Sequence, residues 1–171
     1  QMKIAILSDS HTKVALTNDA IEFLKKLGAQ YIVHAGDLCS EDNLKLLKNS
    51  GLPYVCVFGN NDYNLLNVAS LYNIHKEPYN FKIKETTFTL MHMPYYMNSN
   101  SKVVLFGHTH IFEHEYKNNT LFLNPGEICG RETQLSECVL LDINENEYII
   151  NYYFKKLTSK SYERKEYKYE K

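Results

Sequence analysis

The sequence predicts an α/β (α+β) fold in which two mixed β-sheets pack together and helices flank at least one of them. In the first half of the chain, short apolar runs alternate with amphipathic helical stretches, a pattern typical of parallel strands joined by right-handed crossovers. In the second half, the helix signals nearly vanish and strand-like runs follow one another. This change of pattern indicates a second sheet.

The elements of the first half follow from apolar spacing and from residues that begin or end helices. The first helical stripe ends at Gly28. Ser40 is a suitable N-cap, since the acidic residues Glu41 and Asp42 follow it in the first turn. The predicted strands cover residues 3–7, 31–33 and 53–58, and the predicted helices cover 18–27, the segment from 40 to Gly51, and a short stretch around 65–71.

The second half is predicted to be almost entirely strands. Asn118-Asn119 is a hairpin-turn sequence. The predicted strands cover residues 81–84, 87–91, 103–106, 113–116, 121–123, 138–143 and 148–154. We expect residues 2–157 to form a single domain. Residues 158–171 are rich in Lys, Glu and Tyr and lack an apolar stripe, so we expect a flexible charged tail, with a terminal helix as the alternative.

Composition excludes several classes of protein. The 171 residues are 44% hydrophobic, which suits one globular domain, and the net charge of −1 disfavours a nucleic-acid-binding surface. No apolar stretch is long enough to span a bilayer, and the start turns polar too soon for a signal peptide. The four cysteines show no zinc-type spacing. We therefore expect reduced thiols, a cytoplasmic location and no membrane partner.

Potential metal-binding side chains follow the ends of successive predicted strands. In open α/β sheets, ligands bind outside the carboxyl ends of the strands. Mixed carboxylate, amide and imidazole donors suit divalent first-row metals, and the lack of thiolates argues against a structural zinc site. The candidate metal ligands are Asp9, His11, Asp37, Asn60, His92, His108 and His110.

Each of these residues also has an ordinary structural interpretation when taken alone. Asp9 is suitable as a helix cap, and His110 as the start of a hairpin. Their joint placement at five strand ends favours a metal site. The other histidines lack this support: we expect His34 to be a supporting residue, and His75 and His114 to be exposed or structural.

These motifs resemble those of the calcineurin-like metallophosphoesterase superfamily, in its small bacterial and archaeal phosphodiesterase branch. The similarity extends from the first strand to about residue 130. It rests on Asp9/His11, Gly36/Asp37, Gly59/Asn60/Asp62, His92, Gly107/His108/His110 and Asn124/Pro125/Gly126, in that order. The resemblance implies a four-layer α-β-β-α sandwich. It also implies a metal-dependent phosphoesterase that acts on a small phosphate ester, with phosphodiesterase as the favoured activity.

The resemblance also implies how two divalent metal ions would be held. Mn is the favoured ion, with Ni, Fe, Co, Zn or Mg as alternatives. One metal would take Asp9, His11, Asp37 and His110, and the other Asp37, Asn60, His92 and His108. The shared Asp37 would offset the repulsion of two cations about 3.5–4 Å apart, and hydroxide activated between them would attack phosphorus. The implied catalytic residues are Asp37, Asn60, Asn61 and Asp62.

The sequence departs from the family pattern at several positions near the site. Asn61 stands where many relatives carry His; Asn cannot act as a general acid, which favours good leaving groups or protonation by water or another group. The segment between His92 and His108 is short, so a helix usually present there is expected to be missing. Glu127 stands where Ser is frequent.

Substrate binding is assigned to two residues, Asn61 and Arg131. Arg131 can clamp a phosphate, although a surface salt bridge is the more ordinary interpretation. Tyr95 and Tyr96 can either stack on an aryl group or pack the shortened loop.

Two further functions remain open at this point. The first is a low-activity or inactive scaffold of the same fold that binds proteins, which Asn61 and the short loop after His92 motivate. The second is a nuclease, which the neutral charge disfavours. The sequence also leaves a homo-oligomer open.

Overall fold

The computed structural model describes residues 1–171, which fold into twelve strands and two α-helices. The strands are β1 (Met2–Leu7), β2 (Tyr31–His34), β3 (Tyr54–Val57), β4 (Ile74–His75), β5 (Tyr79–Ile83), β6 (Thr86–Leu90), β7 (Val103–Leu105), β8 (Glu113–Lys117), β9 (Thr120–Asn124), β10 (Leu135–Ile143), β11 (Glu147–Lys156) and β12 (Glu163–Glu170). The helices are α1 (Val14–Lys26) and α2 (Glu41–Lys48), and two 3₁₀ helices cover Tyr63–Asn67 and Ala69–Leu71.

The strands form two mixed sheets. The seven-stranded sheet has the order β12-β11-β10-β1-β2-β3-β4, and the five-stranded sheet has the order β5-β6-β7-β9-β8. Strands β1 to β4 are parallel, as are β6, β7 and β9, whereas β10, β11, β12, β5 and β8 pair antiparallel. The predicted fold class is confirmed.

The side chains of strand β1 pack into two different apolar cores. Ile4 and Ile6 belong to the apolar core between the two sheets, whereas Ala5 and Leu7 belong to the core beneath the helices. Successive side chains of a strand point to opposite faces, so a strand buried on both faces reads as a continuous apolar run. Helix α1 adds Leu24 to the second core.

The outer face of the five-stranded sheet carries no helix. A small cluster of Met91, Val104 and Phe106 lies there, packed against Met97 and Phe122. Met97 comes from the loop between β6 and β7. The helices therefore flank one sheet, and a loop takes the place of the fourth layer. This agrees with the short segment between β6 and β7.

Local sequence signals explain most element boundaries. The Oγ atom of Ser40 accepts a hydrogen bond from the Asp42 N–H and caps α2, as predicted. Helix α1 begins four residues earlier than predicted, at Val14, since Thr17 is buried and its hydroxyl bonds to the carbonyl of Lys13 inside the helix. Neither α-helix is long and apolar enough to cross a membrane.

The hairpin turn between β8 and β9 was also predicted. Asn118 and Asn119 have φ values of 51° and 62°, the left-handed backbone that a tight hairpin turn requires and that Asn tolerates. The short strand β4 was not predicted, because two residues give no periodic signal.

The prediction of a flexible or helical tail after residue 157 is wrong. Residues Glu163–Glu170 form β12, which pairs antiparallel with β11. Tyr167 and Tyr169 alternate with charged residues and pack against the rim of the inter-sheet core. Each tyrosine has an apolar ring and a polar tip, so this two-residue period was hidden in a segment of charged appearance.

Candidate metal centre

The seven predicted donor residues lie together at one edge of the sandwich. Asp9, Asp37 and Asn60 follow the carboxyl ends of β1, β2 and β3 in the seven-stranded sheet, and His92 and His108 follow β6 and β7 in the other. Hydrogen bonds join the two groups: the His108 N–H donates to Asp9 Oδ2 (3.1 Å), and the His92 ring nitrogen Nδ1 donates to the carbonyl of Ala35 (2.8 Å). His11 and His110 complete the set.

The first half of the centre contains Asp9, His11, Asp37 and His110, whose donor atoms lie within 4.8 Å of one another. His110 Nε2 is 3.3 Å from Asp9 Oδ1 and 3.4 Å from His11 Nε2. His11 Nε2 is 3.6 Å from Asp37 Oδ2. Two carboxylates and two imidazoles therefore face one small volume.

The second half contains Asp37, Asn60, His92 and His108. His92 Nε2 lies 3.4 Å from Asp37 Oδ2 and 2.9 Å from Asn60 Oδ1. His108 Nδ1 lies 3.2 Å from Asn60 Oδ1 and 3.3 Å from His92 Nε2. The oxygen Asp37 Oδ2 thus lies between a histidine of the first half and a histidine of the second.

The backbone at these positions is strained. Asp9, His11, Asp37, His108 and His110 all have φ between 48° and 72°, a left-handed conformation that residues other than glycine rarely adopt. Hydrogen bonds hold two of these turns in place: the Asp9 N–H donates to the carbonyl of Gly36, and the His11 N–H to that of Asp37. Such strain clusters at functional sites, where the surrounding structure maintains it.

One glycine is required by close packing. A Cβ atom on Gly59 would collide with the Oδ1 atom of Asp37 and with its backbone nitrogen. A larger residue at Gly59 would therefore displace the carboxylate that both halves of the centre share.

Charge and burial act in opposite directions on the two most central groups. Burial opposes ionisation of Asp37, but His92, through a hydrogen bond and its charge, and Asn61, through two hydrogen bonds, together hold the pKa of Asp37 below its usual range. Burial likewise disfavours charged His92, yet Asp37 and Asp9 raise the pKa of His92 to about 9. The centre therefore attracts a positive charge, and a metal ion would compete with the His92 proton.

Burial is the largest cause of the pKa shifts of Asp9 and His11 in the first half. Burial raises the pKa of Asp9 and lowers the pKa of His11. The Oδ1 atom of Asp9 is fully buried and has no hydrogen-bond partner. An unpaired buried carboxylate oxygen is costly, so this atom is suited to contact a cation.

Comparison with known proteins identifies the family. Residues 2–146 match the calcineurin-like phosphoesterase superfamily domain. The chain belongs to this superfamily. The resemblance inferred from the motifs is therefore confirmed, and the domain covers both sheets up to the end of β10.

Similar proteins include phosphoesterases from other organisms. Phosphodiesterase MJ0936 of Methanocaldococcus jannaschii is 28% identical over 160 residues, which are 86% of this chain and 96% of that protein. The structure of vacuolar protein sorting 29 from Cryptosporidium parvum aligns over 99% of this chain and 98% of that chain with a TM-score of 0.74 and 20% identity. The phosphoesterase Yfce from E. coli aligns over 94% and 96% of the two chains with a TM-score of 0.72 and 19% identity. These two structures share the fold of this chain.

Asp62, predicted as a catalytic residue, contacts the backbone of the turns around the donor cluster. Its Oδ2 atom accepts hydrogen bonds from the N–H groups of Asp37, Leu38 and Gly59 at 2.7–3.2 Å, and its Oδ1 atom accepts one from Cys39 at 2.7 Å. Both oxygens face backbone amides rather than the donor cluster. Asp62 therefore fixes the turn that presents Asp37, and its part in catalysis stays a prediction.

The two predicted substrate-binding residues lie at the rim of the donor cluster. Asn61 donates to both oxygens of Asp37, from its backbone N–H to Oδ1 and from Nδ2 to Oδ2, each at 3.0 Å. Arg131 is exposed; its Nη2 atom lies 3.4 Å from His110 Nε2, and its Nε atom lies 3.8 Å from a carboxylate oxygen of Glu132. The guanidinium therefore faces the centre and also contacts a surface acid.

The tyrosines after His92 lie elsewhere. Tyr95 and Tyr96 border a polar cavity on the outer face of the five-stranded sheet, together with Ser99 and Ser101, and none of the seven donors lines this cavity. The two tyrosines thus belong to the loop that replaces the fourth layer.

Residues behind the donors were largely missed from the sequence. His110 Nδ1 donates to the buried carboxylate of Glu127 at 2.7 Å. Cys129 lies next to this pair: its thiol donates to Glu127 at 3.3 Å, and burial raises the pKa of Cys129 to about 12. The only signal for these contacts was the presence of Glu127 at a position where Ser is frequent in the family.

His34 is a supporting residue, as predicted. It is fully buried beside the centre, where its Nδ1 atom accepts a hydrogen bond from the Gly36 N–H and its Nε2 atom donates to the hydroxyl of Ser10. Burial lowers the pKa of His34 to about 3, which keeps the ring neutral. The ring thus supports the turn that leads into Asp37.

Proposed function

We propose that this chain is a metal-dependent phosphodiesterase that uses two divalent cations at the strand-end cluster. The observation that carries the proposal is the convergence of seven side chains with oxygen or nitrogen donors, among them Asp9, whose buried Oδ1 atom lacks any hydrogen-bond partner. The 28% identity with an archaeal phosphodiesterase supports the choice of a diester over other phosphate compounds.

The donor spacing suits cations. Two ligand atoms that are each about 2.0–2.2 Å from one ion lie roughly 3.0–3.5 Å apart, depending on the coordination angle. The contacts from His110 Nε2 to Asp9 Oδ1 and to His11 Nε2 are 3.3 and 3.4 Å. The contact from His92 Nε2 to Asp37 Oδ2 is also 3.4 Å. These distances support ligation by Asp9, His11, Asp37 and His110 in one half, and by Asp37, Asn60, His92 and His108 in the other.

The histidines are oriented for ligation. Nδ1 of His92 donates to the Ala35 carbonyl, and Nδ1 of His110 donates to Glu127. When either ring is neutral, its single proton is held on Nδ1, and Nε2 presents a lone pair to the cluster. Neutral Asn60 limits the negative charge of the second half, so that an anionic phosphate can approach.

The bound cations would supply a nucleophile at neutral pH by lowering the pKa of a water molecule, and would offset charge on the phosphoryl oxygens. The chain itself orients the substrate: Asn61 and Arg131 lie at the rim, where an amide and a guanidinium can bind non-bridging phosphoryl oxygens. We propose Mn²⁺ as the ion, with Ni, Fe, Co, Zn or Mg as alternatives, since mixed nitrogen and oxygen donors accept several first-row cations.

The test combines metal analysis with a substrate panel on one preparation. The panel contains bis(4-nitrophenyl) phosphate and 4-nitrophenyl phosphate, assayed with each cation. His92→Ala is the site variant, and His75→Ala is its matched control, because the His75 ring stacks on Tyr79 and bonds to Asn73. We expect two bound ions per chain, loss of at least one in His92→Ala, and faster hydrolysis of the diester.

Two results would refute the proposal. One is a chain that binds no divalent ion. The other is hydrolysis that persists equally in Asp37→Ala and in metal-stripped protein.

The alternative function is protein binding by the same fold without catalysis. Such a scaffold requires no complete set of converging donors, and the set here is complete. A stable protein partner combined with no metal-dependent hydrolysis of any ester would favour this alternative.

A further inference from the structure

A polar cavity lies on the outer face of the five-stranded sheet, where no helix covers the strands. Its volume is about 630 Å³, within the range of roughly 300–1,000 Å³ that small-molecule sites occupy. Strands β5 and β6 form its floor, and the loop between β6 and β7 forms its wall. Of its ten lining residues, three are Asn, two are Thr and two are Ser. The cavity is therefore suited to a ligand that forms many hydrogen bonds.

The alternation of side chains along the strands places polar groups on the floor of the cavity. Phe88 and Leu90 of β6 point into the core between the sheets, so Thr87 and Thr89 point outward. Asn80 of β5 pairs with Thr89 across the antiparallel ladder and shares its face. Thr89 is only 3% exposed, although no helix lies above it. A buried hydroxyl therefore lies at the bottom of the cavity.

The hydroxyl of Thr89 is the centre of a hydrogen-bond network whose direction is fixed. It donates its single proton to Asn80 Oδ1 at 2.8 Å. It must therefore accept from the hydroxyls of Ser99 and Ser101, each 2.6 Å away. This arrangement leaves the lone pairs of Ser101 Oγ open, and Asn80 Nδ2 has no partner in the protein. The cavity thus offers both an acceptor and a donor to a ligand.

Hydrogen bonds to two strands hold the wall of the cavity in place. The Ser101 N–H donates to Ser99 Oγ, and the Lys102 N–H donates to Thr87 Oγ1 of β6, each at 3.0 Å. The Thr120 hydroxyl of β9 donates to the carbonyl of Ser101 at 3.1 Å. The polar groups of the loop are therefore ordered before a ligand binds, which lowers the entropic cost of binding.

The lining of the cavity carries no charged residue. Lys82 and Lys102, which are close in sequence to the floor and the wall, line other cavities. Glu77 directs a carboxylate oxygen to the backbone N–H of His92 at 3.1 Å. A phosphate or carboxylate group would therefore find no cationic partner in this cavity, and the lining favours an uncharged ligand.

Two tyrosines add aromatic surface to the same cavity. Tyr95 and Tyr96 border it and are 70% and 46% exposed. A tyrosine has an apolar ring and a polar tip, so it can cover an apolar surface and also form a hydrogen bond. A sugar has the matching chemistry, because its ring has apolar C–H faces and a rim of hydroxyls that both donate and accept.

We propose that this cavity binds a neutral sugar. One sugar hydroxyl accepts from Asn80 Nδ2, another donates to Ser101 Oγ, and the Tyr95 ring covers a C–H face of the sugar. None of the seven metal-donor residues lines the cavity, so sugar binding here does not depend on the proposed metal centre.

The test is an NMR titration of the full ¹⁵N-labelled chain without added metal. The probes are cellobiose, maltose and N-acetylglucosamine, and inorganic phosphate is the charged comparison. With a neutral sugar, we expect saturable shifts of the backbone N–H signals of residues 80, 89 and 99–101, with a Kd in the millimolar range or tighter. Inorganic phosphate is expected to give no saturable shift of these signals.

Two variants test the proposed contacts. Ser101→Ala removes an acceptor from the wall but leaves Thr89 with a donor and an acceptor, and Tyr95→Ala removes an exposed ring. Each change is expected to raise the Kd of the sugar about 3- to 10-fold. Ser70→Ala and Tyr63→Ala are the matched controls, at exposed residues that do not line the cavity, and should leave the Kd unchanged.

Several results would overturn sugar binding at this cavity. One is the lack of a saturable shift with all three sugars at concentrations up to tens of millimolar. Another is a Kd for the sugar that is unchanged in Ser101→Ala or in Tyr95→Ala. Inorganic phosphate that shifts the same signals with equal affinity would overturn the choice of a neutral ligand. Since the readout is binding by the metal-free chain, none of these results bears on the proposed phosphodiesterase.

Discussion

The carboxylate of Glu127 and the imidazole of His110 form a buried hydrogen bond of 2.7 Å behind the candidate metal centre. Glu127 is fully buried, and hydrogen bonds from His110 and Thr133 outweigh burial and lower its pKa, so it stays ionised. An ionised acceptor at Nδ1 keeps the His110 proton there and leaves Nε2 free towards Asp9. The pair therefore fixes which nitrogen faces a cation.

Glu127→Gln is expected to weaken metal binding about 10- to 100-fold. The amide of Gln can donate to Nδ1 of His110, which would move the ring proton to Nε2 and block the lone pair. Metal affinity by calorimetry and the ¹⁵N shifts of the imidazole report the change. Glu132→Gln is the control, since Glu132 is an exposed neighbour. Unchanged affinity together with unchanged ¹⁵N shifts would show that Glu127 does not position His110.

Asp9→Asn should have opposite effects on stability with and without metal. In metal-free protein, Asp9 Oδ1 is buried and unpaired, 3.3 Å from His110 Nε2. An Asn amide group placed there can donate to Nε2, and the variant is expected to be more stable than the wild type by about 1 kcal/mol. In metal-loaded protein the same change removes a ligand, so the stabilisation by metal shrinks.

The measurement is urea denaturation with EDTA and with excess Mn²⁺. An ion that binds only the folded state stabilises that state by about 2.7 kcal/mol when its concentration is 100 times its Kd. A variant that loses this stabilisation is therefore readily detected. Asp42→Asn serves as the control, because Asp42 is exposed in the first turn of α2. Equal destabilisation of the variant with EDTA and with Mn²⁺ would show that Asp9 is not a metal ligand.

A sequence pattern records where a residue lies along a strand, but not where its side chain points in a turn. Asp9 and Asp37 could be predicted because each follows an apolar run, and topology brings the ends of parallel strands together. Asp62 lies within the same motif, yet its carboxylate faces backbone amides. Side-chain direction in a tight turn depends on three-dimensional hydrogen bonding, which spacing alone does not encode. Glu127 was noticed only as a departure, because its partner His110 is distant in sequence.

His34 makes stability depend on pH, and the sign follows from its lowered pKa. Burial lowers the folded pKa to about 3 from an ordinary value of 6.5, and Nδ1 is an acceptor for Gly36. As pH falls below 6.5, the unfolded chain takes up a proton before the folded chain does. The contribution of neutral His34 to the free energy of unfolding is therefore fully present above pH 6.5. It declines as the pH falls from 6.5 to about 3.

Between about pH 7 and pH 5, this one group is expected to lower the free energy of unfolding by about 2 kcal/mol. His34→Asn keeps an acceptor for the Gly36 N–H and cannot titrate, so its loss of stability over the same range should be smaller by that amount. Urea denaturation of metal-free proteins measures both. His75→Asn is the control, at a histidine that is more exposed. Parallel pH profiles for wild type and His34→Asn would contradict the assignment.

Strand β12 is expected to be a stable part of the domain. Its eight residues pair with β11 from Phe154↔Glu163 to Glu147↔Glu170. Tyr167 contributes to the rim of the core, whereas its neighbour Lys168 is exposed. Tyr167→Ser should therefore lower the free energy of unfolding by about 1–2 kcal/mol, while Lys168→Ser should have little effect.

Hydrogen exchange gives the direct measurement. Backbone N–H groups of β12 that bond to β11 are expected to exchange slowly, with protection lost in Tyr167→Ser and retained in Lys168→Ser. Only an ordered strand produces this contrast, because a flexible tail would exchange fast in all three proteins. Fast exchange across residues 163–170 of the wild type would instead support the flexible tail that the composition predicts. Since β12 borders the sheet far from the donor cluster, Tyr167→Ser should leave metal affinity unchanged, which separates loss of the strand from damage to the site.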